Sequence, residues 1–391
     1  MTDALDGEVP RGVGAVRIDK VAQGAGQSRD APGLALMRTP TVAAALARSY
    51  DNFAVIRLAL ALAVVVSHAF SVSIGSTRFE PLFATTGFTL GEHAVNGFFA
   101  VSGFLVTMSF DRRGWRKYVL ARVLRVAPGL IVATFAVVAL GAALTRLPAA
   151  EYWREPSLWR FVLRTLTEFK SSAPLPGVFE NNPYQFPMGT VWTLKYEVFC
   201  YAGVFALGIS GLLRRRLAAL ILVSGLFAGL VAIDAFVPNA SEKVHTALRL
   251  ALAFSIGGSL YLWRDRARIS TVAVVVLALA TALLHASPFY KALLFATESY
   301  GVLWLALMPG LSHPVLALRH DLSFGTYLYG WPVQQALVQL APAAGALSLL
   351  APSLAITLGV AALSWFFVER PALSLKVRWG DTPRGDGSAA W

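Results

Sequence analysis

The feature that most constrains this chain is a series of long apolar runs, each close to twenty residues in length. A helix needs about 20 mostly apolar residues to cross the hydrocarbon core of a bilayer. The runs that meet or approach this length are 53–73, 94–110, 126–145, 188–210, 217–237, 244–262, 269–286, 291–311, 322–341 and 349–368. The sequence therefore predicts an all-α fold, a polytopic transmembrane helix bundle of about ten spans in contact with the lipid bilayer.

The composition agrees with a membrane protein. Only 14% of the residues are charged and 56% are hydrophobic, whereas roughly 25% of the residues of a soluble globular protein are charged. The formal net charge is +12, which in a soluble chain would raise the question of a nucleic-acid partner. Because the basic residues occur in short blocks between apolar runs, membrane topology explains them, and we expect no nucleic-acid partner.

The two ends of the chain differ in character from the apolar runs. Residues 1–48 are polar and rich in Gly, Ala, Asp and Arg, and no apolar segment precedes a small-residue cleavage site there. We expect residues 1–48 to form a flexible cytoplasmic tail. Residues 49–372 then form the membrane domain, and residues 373–391 form a cytoplasmic C-terminal tail.

The distribution of basic residues predicts the orientation of the chain. When ten spans are numbered with both tails inside, 23 of the 34 Lys and Arg residues fall in the inside tails and gaps, and ten fall outside or near outer helix ends. Cytoplasmic segments carry an excess of Lys and Arg. This bias predicts that both termini are cytoplasmic.

The longest connection between spans, about residues 146–187, is predicted to lie outside. It contains Trp153, Trp159, Tyr184 and several prolines, and it is too long for a simple turn. Two interpretations stay open at this point. The connection is either an interfacial amphipathic segment anchored by Trp or a substrate-binding loop.

The first span carries two ionisable residues, Arg57 and His68. Ionisable residues within spans are costly and mark functional sites by default. Eleven residues make about three helical turns, so the two side chains project from nearly the same face, about 16 Å apart along the axis. Arg57 suits an anionic phosphate group near the cytoplasmic surface. His68 suits a general base in the outer half of the membrane, although a snorkelling arginine and a structurally paired histidine would look the same.

Further polar residues lie within or beside later spans. Arg122 and Arg125 are three residues apart, so they share a helix face that suits bidentate phosphate recognition. Ser102 lies between small residues that permit close helix packing. Glu197 points into the bundle from near the outer end of its span. Its carboxylate there could orient an imidazole or bind sugar hydroxyls, or it pairs with Lys195 or another basic residue.

The ninth run begins with a polar segment broken by glycine and proline. Such a segment is tolerated where it lines a cavity, so Tyr327 is a candidate cavity residue. Trp192, at the start of the fourth span, suits either an interfacial aromatic or a substrate contact. No HExxH or CxxC motif occurs, and Cys200 is the single cysteine, so we expect no metal site.

Several of these residues form motifs that resemble those of the acyltransferase-3 family. Arg57 and His68 are similar to its Arg/Lys-x10-His motif, and Arg122 and Arg125 are similar to its RxxR motif. The segment 192–197 resembles its W-S-L-x-x-E motif, with Thr in place of the usual Ser.

Three further segments complete the resemblance in the family order. Residues 97–105 are similar to the FF-x-x-SGFL segment, 323–333 to the SYG-x-Y-L-x-H-x-P segment, and 367–371 to the terminal ERP. Phe324 replaces the usual Tyr, and Gly330 stands where many members have His. The resemblance therefore does not extend to a second catalytic imidazole.

The resemblance implies an O-acyltransferase of bacterial envelope or secreted carbohydrate, a multi-pass protein of the bacterial inner membrane. It would move an acyl group, usually acetyl, from cytoplasmic acyl-CoA to a sugar hydroxyl of an extracytoplasmic or lipid-linked polysaccharide at the outer face. Acyl-CoA is then a donor substrate, and no bound cofactor is expected. The implied roles are donor binding by Arg57, Arg122 and Arg125, catalysis by His68 and Glu197, and substrate contact by Ser102, Trp192 and Tyr327. His68 would act as a general base or carry the acyl group transiently.

Two other functions stay open at the level of sequence. Many spans with buried charges also suit a transporter or flippase, although the two halves of the chain show none of the similarity expected of transport repeats. A related enzyme that moves succinyl or another acyl group to a small-molecule acceptor is the second alternative. The sequence does not predict an oligomeric state.

Overall fold

A computed structural model of the chain describes residues 39–48, 52–237, 239–308, 318 and 320–378. Within these ranges all regular structure is helical, and the single β-type contact is an isolated antiparallel bridge between Thr41 and Arg268. The predicted all-α fold is confirmed. Residues 1–38 and 379–391 lie outside the described residues, so most of the two predicted tails stays a prediction.

The α-helices are numbered in chain order. They are α1 Val42–Leu46, α2 Phe53–Ile74, α3 Phe83–Thr86, α4 Leu90–Leu144, α5 Ala149–Arg154, α6 Pro156–Glu168, α7 Trp192–Ile209, α8 Arg216–Phe236, α9 Glu242–Leu262, α10 Thr271–Leu283, α11 Tyr290–Leu307, α12 Ser323–Leu340, α13 Ala346–Ser364 and α14 Arg370–Arg378. Every apolar run predicted from the sequence overlaps one of them. In the described part of the chain, four helices are long and apolar enough to cross a membrane: Phe53–Ile74, Leu90–Leu144, Arg216–Phe236 and Ala346–Leu375, the last of which extends beyond α13.

Two of the predicted spans, 94–110 and 126–145, lie in the single long helix α4. The helix is interrupted at Gly114, whose φ of 75° and ψ of 169° are not helical. Glycine adopts a positive φ without the steric cost that a side chain would bring. The break falls in the basic segment between the two apolar runs, so it separates two apolar helical segments that the sequence correctly distinguishes.

Helices α4 and α9 approach each other through glycine. A Cβ atom added to Gly103 would lie 1.9 Å from the carbonyl oxygen of Phe254, and one added to Gly257 would lie 1.9 Å from that of Ala100. Small residues allow helix backbones in membrane proteins to come this close. The predicted packing role of the small residues around Ser102 therefore has a direct structural basis.

Helix α12 is buried along most of its length even though it carries many polar side chains. Ser323, Thr326, Gln334 and Gln335 are each fully buried. The Gln334 side chain donates a 2.7 Å hydrogen bond to the carbonyl oxygen of Val65 on α2. Helix α12 packs between α2 and α13, so its polar residues face other helices and do not contact lipid.

The described parts of the two predicted tails include short helices, and residues 42–46 of the predicted flexible N-terminal tail form the packed helix α1. Helix α1 packs against the segment around Ala267, whose carbonyl oxygen accepts a 2.9 Å hydrogen bond from the backbone of Val42. At the other end, α13 continues through a π-helical segment, Trp365–Glu369, into α14. Helical structure therefore reaches six residues into the predicted C-terminal tail, to Arg378.

The long connection 146–187 has two parts with different structures. Its first part forms α5 and α6, on which Trp153 is 45% exposed and Trp159 is 51% exposed. Its second part, from Phe169 to Pro187, contains no regular helix and packs against α12. The first part has the character of an interfacial segment, and the second part resembles a loop held by the bundle.

Candidate functional site

A cavity of about 300 Å³ lies between α2, α4, α7, α12 and the beginning of α14. Apolar and aromatic side chains form much of its wall, among them Phe98, Phe324 and Trp365. The polar residues that line it are Arg57, Ser102, Arg122, Arg125, Thr193, Glu197, Tyr201, Asp321, Ser323, Tyr327, Arg370 and Ser374. Six of the eight site residues predicted from the sequence are in this set, and His68 and Trp192 are not.

Asp321 joins two of the predicted arginines. Its Oδ2 atom lies 2.8 Å from Arg57 Nη1 and 2.8 Å from Arg125 Nη2. The side chains of the three residues are only 7 to 16% exposed. Its other oxygen, Oδ1, accepts hydrogen bonds from the backbone N–H and the hydroxyl of Ser323 at the beginning of α12. One carboxylate thus contacts the first residue of α12 and two guanidinium groups from α2 and α4.

Arg122 differs from its neighbour Arg125 in its contacts. Its guanidinium carbon lies 5.5 Å from the ring centre of Tyr201, a cation–π arrangement. Its Nε atom is buried and has no hydrogen-bond partner among the described residues. A buried donor that lacks a partner is costly, so an anion entering the cavity would gain a charged hydrogen bond here.

Glu197 is held by two hydroxyl groups inside the cavity. Its Oε1 atom accepts hydrogen bonds from Tyr201 Oη at 2.5 Å and from Ser102 Oγ at 3.2 Å. Lys195 does not pair with it in the described structure, because its Nζ atom lies over the ring of Tyr196 at 4.8 Å. The structure thus brings Ser102 and Glu197 together, and the catalytic role suggested for Glu197 stays a prediction.

Tyr327 and Trp192, both predicted as substrate contacts, lie in different surroundings. The hydroxyl of Tyr327 is 2.6 Å from Thr193 Oγ1 and donates to the carbonyl oxygen of Thr190 at 3.1 Å. Tyr327 therefore connects α12 to the beginning of α7 at the cavity wall. Trp192 packs edge-on against Tyr196, with 5.9 Å between the ring centres, outside the lining of this cavity.

His68 lies apart from the cavity, further along α2. Its ring meets the ring of Trp331 edge-on, with 4.9 Å between their centres. No hydrogen bond or ion pair joins the imidazole to another described side chain. Gly330, next to Trp331, brings α12 close to α2, since a Cβ there would lie 2.6 Å from Val65 Cγ2. At the position where many family members have His, this chain therefore has a glycine that allows α12 to pack closely against α2.

The orienting role of Glu197 toward His68 stays a prediction, because the hydrogen bonds seen for Glu197 are made at the cavity. The hydrogen bonds of Glu197 go to Ser102 and Tyr201, and both partners line the cavity from which His68 is absent. Glu197, which was predicted near the outer end of its span, thus shares a cavity with Arg57 and Arg125.

Asp321, which joins Arg57 to Arg125, was not among the site residues predicted from the sequence. Its position at the edge of an apolar run is a usable signal, because an ionisable residue there is unusual. Its partners lie 264 and 196 residues away, and no local pattern identifies them. In the described part of the chain, no group of three or more His, Cys, Asp or Glu side chains is arranged to hold a metal ion.

Comparison with known proteins agrees with the motifs. The family described as "Acyltransferase domain" matches residues 50–369. An O-acetyl transferase of Shigella phage Sf6 is 26% identical over 328 residues, which cover 81% of this chain and 94% of the relative. Nodulation protein 10 of Rhizobium leguminosarum bv. viciae is 28% identical over 363 residues, covering 83% of this chain and 94% of the relative. No solved structure matches the chain. The chain belongs to the acyltransferase-3 family and is a membrane acyltransferase.

Proposed function

We propose that this protein is an O-acyltransferase that moves an acyl group, most simply acetyl, from cytoplasmic acyl-CoA to a sugar hydroxyl. The acceptor in this proposal is an extracytoplasmic or lipid-linked polysaccharide. The name of the phage relative, an O-acetyl transferase, supports acetyl as the group transferred. Acyl-CoA and the carbohydrate acceptor are the two substrates.

The observation that carries the proposal is the cationic cavity. Arg57, Arg122, Arg125 and Arg370 all line it, and Arg122 Nε has no partner in the described structure. Coenzyme A carries several phosphate groups, which arginine recognises through charge-assisted hydrogen bonds. Aromatic rings of the cavity wall, such as Trp365 and Phe324, suit the apolar face of the adenine.

The proposed topology brings the cavity to the side from which acyl-CoA arrives. We propose ten spans, cytoplasmic termini and insertion in the bacterial inner membrane. The four cavity arginines belong to the cytoplasmic end of the first span and to segments that the charge bias predicts as inside. The donor phosphates would then bind at the cytoplasmic end, and the pantetheine arm would extend along α2 toward His68.

His68 is the proposed centre of the chemistry. As a general base, its imidazole takes the proton of the sugar hydroxyl while the sugar oxygen attacks the thioester carbonyl. The C–S bond then breaks, and coenzyme A leaves as the thiolate, which takes up a proton. If His68 instead carries the acyl group, a covalent acyl-imidazole forms first and the kinetics are ping-pong. Initial-rate kinetics with both substrates varied distinguish the two mechanisms.

A transfer of succinyl or another acyl group to a small-molecule acceptor is the alternative within the same reaction class. The transporter alternative loses support, because the acyltransferase family match covers residues 50–369. The acyl group is tested directly by offering membrane vesicles labelled acetyl-CoA and labelled succinyl-CoA in parallel.

The experiment that tests the proposal measures label transfer in membrane vesicles. Labelled acetyl-CoA is supplied with polysaccharide extracted from a strain of the producing bacterium that lacks this gene. We expect label on the polysaccharide with wild type and a rate at least about 100-fold lower with His68→Ala, the usual contribution of a general base.

His285→Ala is the matched control. His285 is exposed, contacts Tyr290 and lies in neither the cavity nor the His68 region, so this variant should transfer at the wild-type rate. Absence of transfer by the wild type with every acyl-CoA offered would contradict the proposed function. Transfer by His68→Ala at the wild-type rate would contradict the role of His68.

A further inference from the structure

Three aromatic side chains form a compact cluster beside His68. The ring of Trp331 on α12 stacks on Phe186, with 5.3 Å between the centres and 7° between the planes. Tyr184 lies 5.5 Å from Trp331 and 5.3 Å from Phe186. Trp331 also makes the edge-on contact with His68. Through Trp331, the aromatic cluster therefore links the segment of residues 146–187 to the imidazole.

The segment that carries Tyr184 and Phe186 is fixed to α12 by its backbone. Gln335 Nε2 donates to the carbonyl oxygens of Tyr184 and Phe186 at 2.6 and 2.9 Å. Trp331 Nε1 donates to the carbonyl oxygen of Phe186 at 2.9 Å. Asn182 Nδ2 donates to the backbone and side-chain oxygens of Gln335, both at 2.9 Å. At Tyr184 and Phe186 these bonds use only the backbone carbonyl oxygens and do not involve the aromatic rings.

The segment also covers the end of α2 that follows His68. Pro183 packs against Gly75, the C-terminal cap of α2, where an added Cβ would lie 2.9 Å from Pro183 Cβ. Gly75 follows His68 by seven residues, about 10 Å along the helix. An acceptor that reaches His68 from this end of α2 therefore passes the segment.

The surface of this segment combines aromatic side chains with polar ones, among them one carboxylate. Tyr184 and Phe186 are partly exposed, and Glu180, Asn181 and Gln185 beside them are exposed. Residues 171–188 contain no Lys or Arg. The cationic cavity suits an anionic donor, whereas this surface offers flat apolar rings with amide and carboxylate groups around them.

We propose that Tyr184 and Phe186, supported by Trp331, form the acceptor subsite of the enzyme and bind a pyranose ring of the carbohydrate next to His68. The C–H face of a pyranose packs against an aromatic ring. Its hydroxyl groups suit hydrogen bonds that they accept from the surrounding amides and donate to the carboxylate. This inference rests on the proposed function, since it names where the sugar acceptor of that reaction binds.

The first test measures the donor KM and the acceptor KM of Tyr184→Ala separately and compares each with the wild-type value. The acceptor is the polysaccharide from the gene-deleted strain, and the donor is labelled acetyl-CoA. We expect the acceptor KM to rise about tenfold, as expected for the loss of one aromatic stacking contact, while the donor KM stays within twofold of wild type. Trp159→Ala, an exposed aromatic of the same connection, should leave both values within twofold.

A second measurement keeps the proposal testable if Tyr184→Ala does not fold. Gln185→Cys in a Cys200→Ala background is labelled with a membrane-impermeant maleimide, with and without the same polysaccharide. We expect the polysaccharide to slow labelling at least threefold at this position and to leave labelling of Ser172→Cys unchanged. Unaltered labelling of Gln185→Cys would overturn the subsite.

The outcomes separate this inference from the function on which it rests. If the wild type transfers label and Tyr184→Ala has a wild-type acceptor KM, the subsite is wrong and the proposed function stands. An equal rise in the donor and acceptor KM values would show a general structural effect and would also overturn the subsite. Failure of the wild type to transfer label to the polysaccharide from any of the acyl-CoA donors offered would overturn both proposals.

Discussion

The cavity and the His68 region lie along the same helix, α2, but they are built from different kinds of interaction. In the cavity, Arg57 and Arg125 share the carboxylate of Asp321 at 2.8 Å each. Around His68, the neighbouring groups are the ring of Trp331 and, through it, the aromatic segment with Tyr184 and Phe186. Arg57 and His68 are separated by about 16 Å of helix.

The contrast between the charged cavity and the aromatic surroundings of His68 suits a bundle in which donor binding and chemistry take place in different regions. Buried charges are tolerated when they are paired and hydrogen-bonded, and the Asp321 carboxylate satisfies this condition for the cavity. An imidazole that acts as a base at neutral pH must be unprotonated, so surroundings without a carboxylate partner suit it. The proposed function uses both properties, with phosphates bound at one end of α2 and proton transfer at the other.

The largest effect that we predict concerns the carboxylate that organises the cavity. Asp321→Ala removes the group that Arg57 and Arg125 both contact and the hydrogen-bond acceptor of Ser323. Because these side chains are mostly buried, the free energy of unfolding should fall by about 3 kcal/mol, as for other broken buried ion pairs. Denaturant unfolding of the purified protein in detergent measures the change.

The matched control for this substitution is an exposed ion pair. Asp265 pairs with Arg216, and the two side chains are 53 and 38% exposed. Exposed pairs contribute about 0 to 1 kcal/mol, so Asp265→Ala should lower the free energy of unfolding by less than about 1 kcal/mol. Equal losses in the two variants would remove the distinction between the cavity network and ordinary surface charge.

A smaller effect is predicted for Ser102, which lies in the same cavity. Ser102→Ala removes the 3.2 Å hydrogen bond to Glu197, and one such bond contributes about 1 kcal/mol. We expect the KM for acetyl-CoA to rise no more than about fivefold, with the acceptor KM unchanged. Ser109→Ala, a buried serine of α4 whose hydroxyl has no partner among the described residues, is the control that should change neither value. A rise in the acceptor KM alone would place Ser102 with the acceptor and would contradict its assignment to the donor cavity.

The sequence allowed several residues that line the cavity to be predicted, but not the contacts between them. Arg57, Arg122, Arg125 and Glu197 are conspicuous because ionisable residues within or beside apolar runs are rare, and the structure brings all four to one cavity. The shared carboxylate of Asp321 depends on the packing of α2, α4 and α12, which no local spacing reports. The secondary structure followed the apolar runs closely, because hydrophobic length determines where helices form in such a chain.

Single aromatic residues were the least predictable part of the site. Trp192 and Tyr327 both lie in the first turns of helices rich in aromatic residues. Tyr327 lines the cavity, whereas Trp192 packs against Tyr196. The direction of an aromatic side chain depends on which helix lies beside it. The same limit applies to Tyr184, whose position beside Trp331 becomes visible only when the segment is seen hydrogen-bonded to Gln335.

The most direct test of the central claim is the binding of coenzyme A to detergent-purified wild type, Arg122→Ala and His68→Asn, measured by calorimetry. We expect His68→Asn to bind coenzyme A with the wild-type Kd, although it transfers no acyl group. We expect Arg122→Ala to bind coenzyme A at least about tenfold more weakly, because one charge-assisted hydrogen bond is lost. Two results would contradict the separation of donor binding from chemistry along α2. One is a Kd of His68→Asn that is weakened as much as that of Arg122→Ala, and the other is a wild-type Kd of Arg122→Ala.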